Sequence, residues 1–250
     1  MIDIHAHLCF PEFAEDREQV VAQARREVQG ILVSSCTLAE GECALALARR
    51  HPGFLFPSLG CHPVQGDHPQ EIASLIARHA GQVVAIGEVG LDHHWVKDPL
   101  QQRNQEAMFG QFIALAERLR KPLVIHSWDA EQRCFQLVRD REVQAAFHCY
   151  TGPPDLAEEI AARGFFVSIS TNVLFSKRLR KTAARIPLDR LLLETDSPFL
   201  DPDRARRRNT PGNIRLSARK VAELRGVSEA DILDAAAKNA KRLFSLQLMR

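Results

Sequence analysis

The chain has 250 residues, of which 45% are hydrophobic and 26% are charged, as in an ordinary globular domain. A formal net charge of +2 is too small to identify a nucleic-acid-binding protein by itself, so the distribution of charge must decide. No run approaches the roughly 18 apolar residues of a membrane span, and Met1 leads directly into the first apolar run, which leaves no room for a signal peptide. We therefore expect residues 1–250 to form a single cytoplasmic domain, of a length that suits one α/β barrel.

Eight short apolar runs predict β-strands along the chain. They span residues 1–7, 30–36, 54–61, 83–88, 122–127, 145–149, 165–170 and 191–196. Strands that are apolar throughout are typical of a parallel sheet that is covered on both faces. Pro57 interrupts the third run and indicates a bulge or a weaker strand there.

Segments with the 3.6-residue periodicity of α-helices lie between these strands. They span residues 15–29, 41–50, 69–80, 101–119, 131–139, 154–163 and 176–185. Alternating strands and helices with right-handed crossovers predict an α/β fold, a (β/α)₈ TIM barrel with extra C-terminal helices. These two extra helices, over residues 214–225 and 228–244, are expected to cover the outside of the barrel and to close it. Ser228 and Asp231 predict a capping box at the start of the second one.

The six cysteines are scattered through the chain and form no Cys-x-x-Cys pair, which argues against a thiolate zinc site. They are Cys9, Cys36, Cys43, Cys61, Cys134 and Cys149. Three disulfides are one possibility, but the ample core and the expected cytoplasmic location favour reduced thiols. We predict that all six are small, buried, apolar residues.

Imidazoles and carboxylates stand at the ends of five predicted strands, where a barrel enzyme places its catalytic groups. They are His5, His7, Glu88, His126, His148 and Asp196. Because side chains alternate along a strand, His5 and His7 point to the same side and can bind one metal ion. Each residue taken alone could be an ordinary buried histidine or a paired carboxylate. Six in matching positions predict a metal-dependent hydrolase with a two-cation site.

Three more polar residues lie near these strand ends. His62 follows strand three, and we predict that it binds a substrate oxygen or protonates the leaving group, with an ordinary loop histidine as the alternative. Asp92 is a weaker candidate ligand, and support of a ligand or a loop hydrogen bond explains it equally well. Glu194 has the parity of Asp196 but lies deeper, which favours a structural ion pair.

Six motifs, taken in order, make the chain similar to a known family. They are Asp3-Ile4-His5-Ala6-His7, Gly60-Cys61-His62-Pro63, Gly87-Glu88-Val89-Gly90-Leu91-Asp92, His126-Ser127, Phe147-His148-Cys149-Tyr150-Thr151-Gly152 and Glu194-Thr195-Asp196-Ser197-Pro198. The set resembles the TatD family of metal-dependent deoxyribonucleases, within the wider metal-dependent hydrolase superfamily. The resemblance implies a TIM barrel, two divalent cations and phosphodiester hydrolysis, often as exonuclease activity on DNA. His93 departs from the pattern, because the family commonly has a tyrosine there.

The distribution of charge and the residue on strand four bear on the substrate. Superfamily members that cleave amides, lactones or phosphotriesters often have a carboxylated lysine where this chain has Glu88, so the glutamate favours the TatD-like branch. Basic residues after the last two strands could bind substrate phosphates, although a solvated charged face explains them equally well. They are Lys177, Arg178, Arg180 and Lys181 after strand seven, and Arg204, Arg206, Arg207 and Arg208 after strand eight. Because few aromatic residues are interleaved, extensive base stacking is not expected.

The sequence thus predicts a TatD-like deoxyribonuclease that uses two divalent cations (Mg²⁺, Mn²⁺ or Zn²⁺) and acts on DNA or another phosphodiester. In the predicted mechanism Asp196 orients a metal-activated hydroxide that attacks phosphorus, and Glu88 bridges the cations. The cations are held by two histidine pairs, His5 with His7 and His126 with His148. The alternatives are a hydrolase of a small ester, amide or acyl-linked substrate, and a non-catalytic nucleic-acid-binding protein. No membrane and no obligate protein partner is expected.

Overall fold

A sheet of eight parallel strands is the centre of the computed structural model, which describes residues 1–203 and 208–248. The strands are β1 (Ile2–Ala6), β2 (Gly30–Ser34), β3 (Leu55–Leu59), β4 (Ala85–Gly90), β5 (Leu123–His126), β6 (Ala145–Phe147), β7 (Phe166–Ile169) and β8 (Leu191–Leu193). Each strand pairs with the next one along the chain, in parallel, from β1 to β8. The predicted TIM barrel is therefore confirmed. Pro57 lies inside β3 opposite Val33 of β2 without ending the strand.

Helices follow the strands in strict alternation. They are α1 (Arg17–Glu27), α2 (Leu38–Arg50), α3 (Pro69–Arg78), α4 (Pro99–Leu119), α5 (Glu131–Val138), α6 (Pro154–Ala162), α7 (Lys177–Arg185), α8 (Ile214–Arg225) and α9 (Glu229–Phe244), with short 3₁₀ turns at Pro11–Phe13, Thr171–Leu174, Leu188–Arg190 and Pro211–Asn213. Helix α2 begins three residues before its predicted start, because the Thr37 side chain caps it by accepting the Glu40 N–H at 3.3 Å. The predicted capping box of Ser228 and Asp231 at the start of α9 is confirmed.

The first strand meets the segment that follows β8, which brings the two edges of the sheet together. The His7 N–H donates to the Ser197 carbonyl at 2.7 Å, and the Asp196 N–H donates to the His5 carbonyl at 3.0 Å. Ala6 and Ser197 form a parallel bridge at the same place. These bonds fix His5, His7 and Asp196 relative to one another through the backbone.

Apolar side chains from all eight strands form one cluster that is separate from the layer under the helices. It contains Ile2, Ile4, Leu32, Phe56, Ala85, Val124, Ala146, Phe166 and Leu192 from the strands. Only the interior of a barrel is shared by every strand, so this cluster fills the inside, at the ends where the strands begin. Ala237, Ala240, Leu243 and Phe244 of α9 belong to the same cluster.

The two final helices therefore have different positions. Helix α8 packs Ile214, Ala218 and Val221 into the outer apolar layer, as predicted. Helix α9 begins in the same outer layer with Ile232 and Ala236, and its last two turns close the N-terminal end of the barrel, so the predicted closure is confirmed. Among the helices of residues 1–203 and 208–248, none combines the length and the apolar character needed to cross a membrane.

One cysteine prediction is wrong. Cys9 and Cys43 are joined in a disulfide with a Cα–Cα distance of 6.0 Å, within the range that such bonds require. The sequence separation of 34 residues hides this contact, but β1 and β2 are neighbours, so the loop after β1 meets the helix after β2. Disulfides are rare in reducing compartments, and the cytoplasmic location stays a prediction. The other four cysteines are free, and only Cys149 among them is not fully buried.

Candidate metal centre

His5 and His7 converge on one point at the C-terminal end of β1. Their Nε2 atoms lie 3.2 Å apart, and both residues are buried. The register of β1 against β2 shifts between Asp3 and Ala6, an irregularity of the kind that re-aims side chains beside active sites. Asp3 fixes this segment, because its carboxylate accepts the His5 N–H at 3.2 Å, the Thr195 N–H at 3.0 Å and the Thr195 hydroxyl at 2.5 Å.

Glu88 lies between two pairs of imidazoles. Its Oε2 is 3.3 Å from His5 Nε2 and 3.6 Å from His7 Nε2. Its Oε1 is 2.7 Å from His126 Nδ1 and 2.8 Å from His148 Nε2. Burial alone would raise the pKa of Glu88, but the charges of His148 and His62 and the hydrogen bonds from His126 and His148 hold it well below its usual value. The carboxylate is thus an anion with one oxygen directed at each pair.

Two glycines permit this position of Glu88, because neighbouring backbone occupies the space that a side chain would need at each of them. A Cβ atom at Gly60 would lie 2.3 Å from the Glu88 carbonyl oxygen. At Gly90, where φ is +146°, a Cβ atom would lie 2.0 Å from the carbonyl oxygen of His126. Both motif glycines therefore let the strands that carry the ligands approach one another closely.

Asp196 reaches the first histidine pair from beyond β8. Its Oδ1 lies 3.4 Å from His7 Nε2 and 3.8 Å from His5 Nε2. The residue has φ of +57°, a left-handed conformation that is uncommon outside glycine and often marks functional sites. Burial alone would raise the pKa of Asp196, but the hydrogen bond from His7 and the charges of His5 and His7 lower it. Asp196 is therefore ionised beside the two imidazoles.

His126 and His148 are each held by a carboxylate besides Glu88. His126 Nε2 lies 2.9 Å from Asp92 Oδ2, so Asp92 belongs to the site and is more than a loop residue. His148 Nδ1 is 3.7 Å from Glu194 Oε1, which also accepts the Cys149 N–H at 2.5 Å. Burial alone would lower the pKa of His148, but the charges of Glu88 and Glu194 and the hydrogen bond with Glu88 hold it well above its usual value.

The predicted ion pair of Glu194 therefore takes a particular form. Within the part of the chain that the structure describes, its charged neighbour is His148 and not an arginine or a lysine. A carboxylate behind a histidine in this way orients the ring and raises its basicity as a ligand.

His62 has a defined tautomer. Its Nδ1 faces the backbone N–H groups of Val64 and Gln65, each at 3.1 Å. Because Nδ1 accepts these bonds, the proton of the neutral ring resides on Nε2. Burial lowers the pKa of His62 to about 4, so the ring is neutral near pH 7. His62 lies close enough to Asp92 and His126 to share an ion with them, but this tautomer makes Nε2 a hydrogen-bond donor.

The donor set fits divalent cations. Groups of three potential ligands with atoms within 4.8 Å of one another are His5, Glu88 and His148, then His5, His7 and Asp196, then His7, Cys36 and Glu88, then His62, Asp92 and His126. Several imidazole nitrogens converge there on anionic oxygens, which is the chemistry of a metal site. Cys36 was not predicted to be near it. Burial, and then the charge of Glu88, hold the pKa of the Cys36 thiol well above its usual value, so the thiol is protonated.

The site opens into a cavity of about 590 Å³. All of the predicted metal ligands except the fully buried His5 line it, together with His62 and Asp92. Trp95, Trp128 and Phe199 also line it, and no pattern in the sequence marked them, because each lies in a loop without periodicity. His93 contributes its backbone N–H to the Trp128 carbonyl at 2.9 Å.

The predicted phosphate-binding arginines are described only in part. Arg204, Arg206 and Arg207 lie outside the described residues, so their role stays a prediction. Arg208 is described, and its guanidinium donates to both oxygens of Asp16, at 2.7 and 2.5 Å. A substrate phosphate at Arg208 would have to compete with this ion pair. After β7, Arg178 donates to the Thr151 carbonyl at 3.3 Å, at the rim of the cavity.

Known proteins resemble this chain over nearly its whole length. Residues 2–245 match the family described as TatD related DNase. An uncharacterized metal-dependent hydrolase of Methanocaldococcus jannaschii is 34% identical over 99% of this chain and 98% of its own length. The 3'-5' ssDNA/RNA exonuclease TatD of Erwinia tasmaniensis is 36% identical over 98% of this chain and 100% of its own length. The crystal structure of the TatD homologue YJJV of Escherichia coli K12 superposes with a TM-score of 0.88 at 26% identity, over 99% of this chain and 98% of that one.

Proposed function

This chain belongs to the family of TatD-related DNases, and from that membership and the geometry of the metal centre we propose that it hydrolyses phosphodiester bonds in DNA, as an exonuclease. The observation that carries the proposal is the position of Glu88. One oxygen of this carboxylate faces His5 and His7, and the other faces His126 and His148. A single carboxylate shared by two imidazole pairs could serve two cations in one site at once.

The residues that would hold the cations follow from these contacts. His5, His7 and Asp196 would hold one cation with Glu88 Oε2, and His126 and His148 would hold the other with Glu88 Oε1. Two divalent ions per chain, of Mg²⁺, Mn²⁺ or Zn²⁺, are proposed. When bound, such ions supply Lewis acidity to a phosphoryl group and lower the pKa of water.

The chain's own side chains then have distinct tasks. The ionised Asp196 borders the cavity, so it orients the attacking water and accepts a proton from it. The neutral His62 presents an Nε2–H group to the cavity and donates a hydrogen bond to a phosphate oxygen or to the leaving oxygen. Glu194 and Asp92 hold the rings of His148 and His126 in place.

A nucleic acid is the substrate class that we favour. The relative from Erwinia tasmaniensis carries the name of an exonuclease of single-stranded DNA and RNA, and it shares 36% of its residues with this chain. A cavity of about 590 Å³ that opens at the barrel mouth has room for a nucleotide unit at the end of a strand. The substrate preference between DNA and RNA is part of the test below.

The decisive experiment pairs cleavage with metal content. The metal-loaded protein is incubated with single-stranded DNA, duplex DNA, RNA and a set of small esters and amides, and bound metal is measured by elemental analysis. We expect DNA cleavage with about two ions per chain, and a lower metal content in His126→Ala. His79→Ala is the matched control, because His79 ends α3 and lies outside the cavity. Full activity after complete removal of metal, or cleavage of small esters without cleavage of any nucleic acid, would overturn the proposal.

A further inference from the structure

The two tryptophans of the chain lie together at the mouth of the cavity. Trp95 is 68% exposed and Trp128 is 39% exposed. Their rings meet edge to face, with centroids 6.2 Å apart at an angle of 85°. The ring of His94 stacks on Trp128, with centroids 3.9 Å apart and planes 5° from parallel. We call Trp95, Trp128 and His94 the aromatic platform.

The loops of the metal ligands hold this platform in place. The backbone N–H of Trp95 donates to Asp92 Oδ1 at 2.8 Å, and the other carboxylate oxygen of Asp92 contacts His126. Trp128 is two residues beyond His126, and its carbonyl accepts the His93 N–H at 2.9 Å. His94 Nδ1 lies 3.0 Å from Asp129 Oδ2. The platform is thus connected through these contacts to the residues of the metal centre.

Its exposure requires an explanation from function. Both tryptophans line the same cavity as the predicted ligands, and a large apolar ring that faces water forgoes the free energy of burial. Phe199, 42% exposed, also lines this cavity, and its ring contacts those of His7 and Phe10. The cavity thus has three exposed aromatic rings in its wall.

We propose that the aromatic platform is a subsite that stacks one unpaired nucleobase next to the phosphate that is cleaved. This inference rests on the proposed nuclease function. Stacking of a base on an aromatic side chain tolerates any sequence, because every base has a π-face. A base inside a duplex has both faces covered by its neighbours, so it must first leave the stack before it can contact the platform.

Intrinsic fluorescence measures this interaction directly, since Trp95 and Trp128 are the only tryptophans in the sequence. The protein loaded with Mg²⁺ is titrated with a phosphorothioate-linked pentathymidylate, which resists cleavage, and with an abasic strand of the same length and linkage. Both ligands carry the same phosphates, so they differ only in bases. We expect tryptophan quenching by the pentathymidylate alone, and binding about tenfold tighter than that of the abasic strand, which corresponds to about 1.4 kcal/mol.

Variants assign the difference to the platform. In Trp95→Ala and Trp128→Ala the tenfold preference for the base-bearing strand should shrink toward one, and Trp95→Phe should retain most of it because the aromatic face remains. Val227→Ala, an exposed apolar residue outside the cavity, should keep the full preference. Equal binding of the abasic and base-bearing strands by the unaltered protein would overturn the inference, as would an undiminished preference in both alanine variants.

The outcome also separates this inference from the proposed function. Cleavage of DNA by a protein that does not distinguish the abasic strand would leave the nuclease function standing and remove the base subsite. Base-dependent quenching in a protein that cleaves no nucleic acid would support the subsite and remove the nuclease function.

Discussion

The two ends of the barrel interior are built from opposite chemistry. At the N-terminal end, Ile2, Ile4 and their neighbours on the other strands pack against Leu243 and Phe244 of α9. At the C-terminal end lie the six predicted ligands, four histidines and two carboxylates, which are buried or nearly so. Burial of apolar groups stabilises the first end by about 25 cal/mol per Å², whereas burial of charged and polar groups opposes folding at the second unless they are paired.

This contrast indicates how one fold separates stability from chemistry. Strand beginnings carry the packing, and strand endings carry the ligands, as barrel enzymes generally arrange them. The site end tolerates left-handed backbone at Asp196 and Cys149, each at a cost of about 1–3 kcal/mol, because the closed end is well packed. A substitution at one end should therefore change turnover, and a substitution at the other should change the free energy of unfolding.

The largest effect is expected for Asp196→Asn at the site end. The variant keeps the shape of the side chain but loses the charge that faces His7. We expect turnover on DNA to fall by about 10²–10⁴-fold, with the free energy of unfolding of the metal-free protein changed much less. Steady-state kinetics and urea titration measure the two quantities. Unchanged turnover in a folded variant would remove Asp196 from the mechanism.

Phe244→Ala tests the closed end. Phe244 is 2% exposed and packs inside the barrel, so its truncation should lower the free energy of unfolding by about 3–5 kcal/mol. Turnover of the folded fraction should stay within twofold, because the metal centre lies at the other end. Denaturant titration and active-site-normalised kinetics provide the comparison. A large loss of turnover in the folded protein would show that the two ends are coupled.

Removal of metal should lower the free energy of unfolding independently of the packing at the closed end. Cations that bind only the folded chain stabilise it by about 2.7 kcal/mol at a hundredfold excess over Kd. We expect chelation to lower the Tm of the wild type and of Phe244→Ala. The loss in free energy of unfolding should be similar in the two proteins. In Glu88→Gln the effect of chelation should shrink, because the shared carboxylate is gone. Calorimetry with and without chelator measures these effects. If chelation lowered the stability of Glu88→Gln as much as that of the wild type, Glu88 would not bridge the cations.

The smallest effect is expected for Glu194→Gln, which alters a support of the site and not a ligand. Glu194 contacts His148 Nδ1 and the Cys149 N–H, and loss of such support weakens metal binding by about 10–100-fold. The amide can still accept the Cys149 hydrogen bond, so the fold should persist. Metal titration of the variant gives the affinity. A metal affinity equal to that of the wild type, with only stability reduced, would make Glu194 purely structural.

Periodic parts of the molecule were predictable, and the rest was not, for physical reasons. Apolar runs that end in His, Glu or Asp predicted the eight strands and the candidate ligands, and the barrel and the family are confirmed. The early start of α2 depends on a single cap at Thr37. The Cys9–Cys43 bond depends on the loop after β1 lying next to α2 in space. A linear pattern of residues does not contain this information.

The tryptophan pair illustrates the same limit at the site. Trp95 and Trp128 are 33 positions apart, and their contact results from the pairing of β4 with β5. Because few aromatic residues are present, extensive base stacking was not expected. The only two tryptophans in the sequence nevertheless line the same cavity. In the sequence, Cys36 looks like an ordinary core residue. Its Sγ lies 3.7 Å from Glu88 Oε2 only because of the three-dimensional arrangement of β2 and β4.

The closure of the barrel has a consequence for the order of synthesis. Residues 2–7 are translated long before several of their partners, which are Asp196, Ser197 and the last turns of α9. Contacts between such distant segments are slow to form and cannot form on the nascent chain. Until then the edge of β1 and the floor of the barrel are exposed to other proteins. Chaperone dependence in this chain should therefore arise during translation and end when α9 docks.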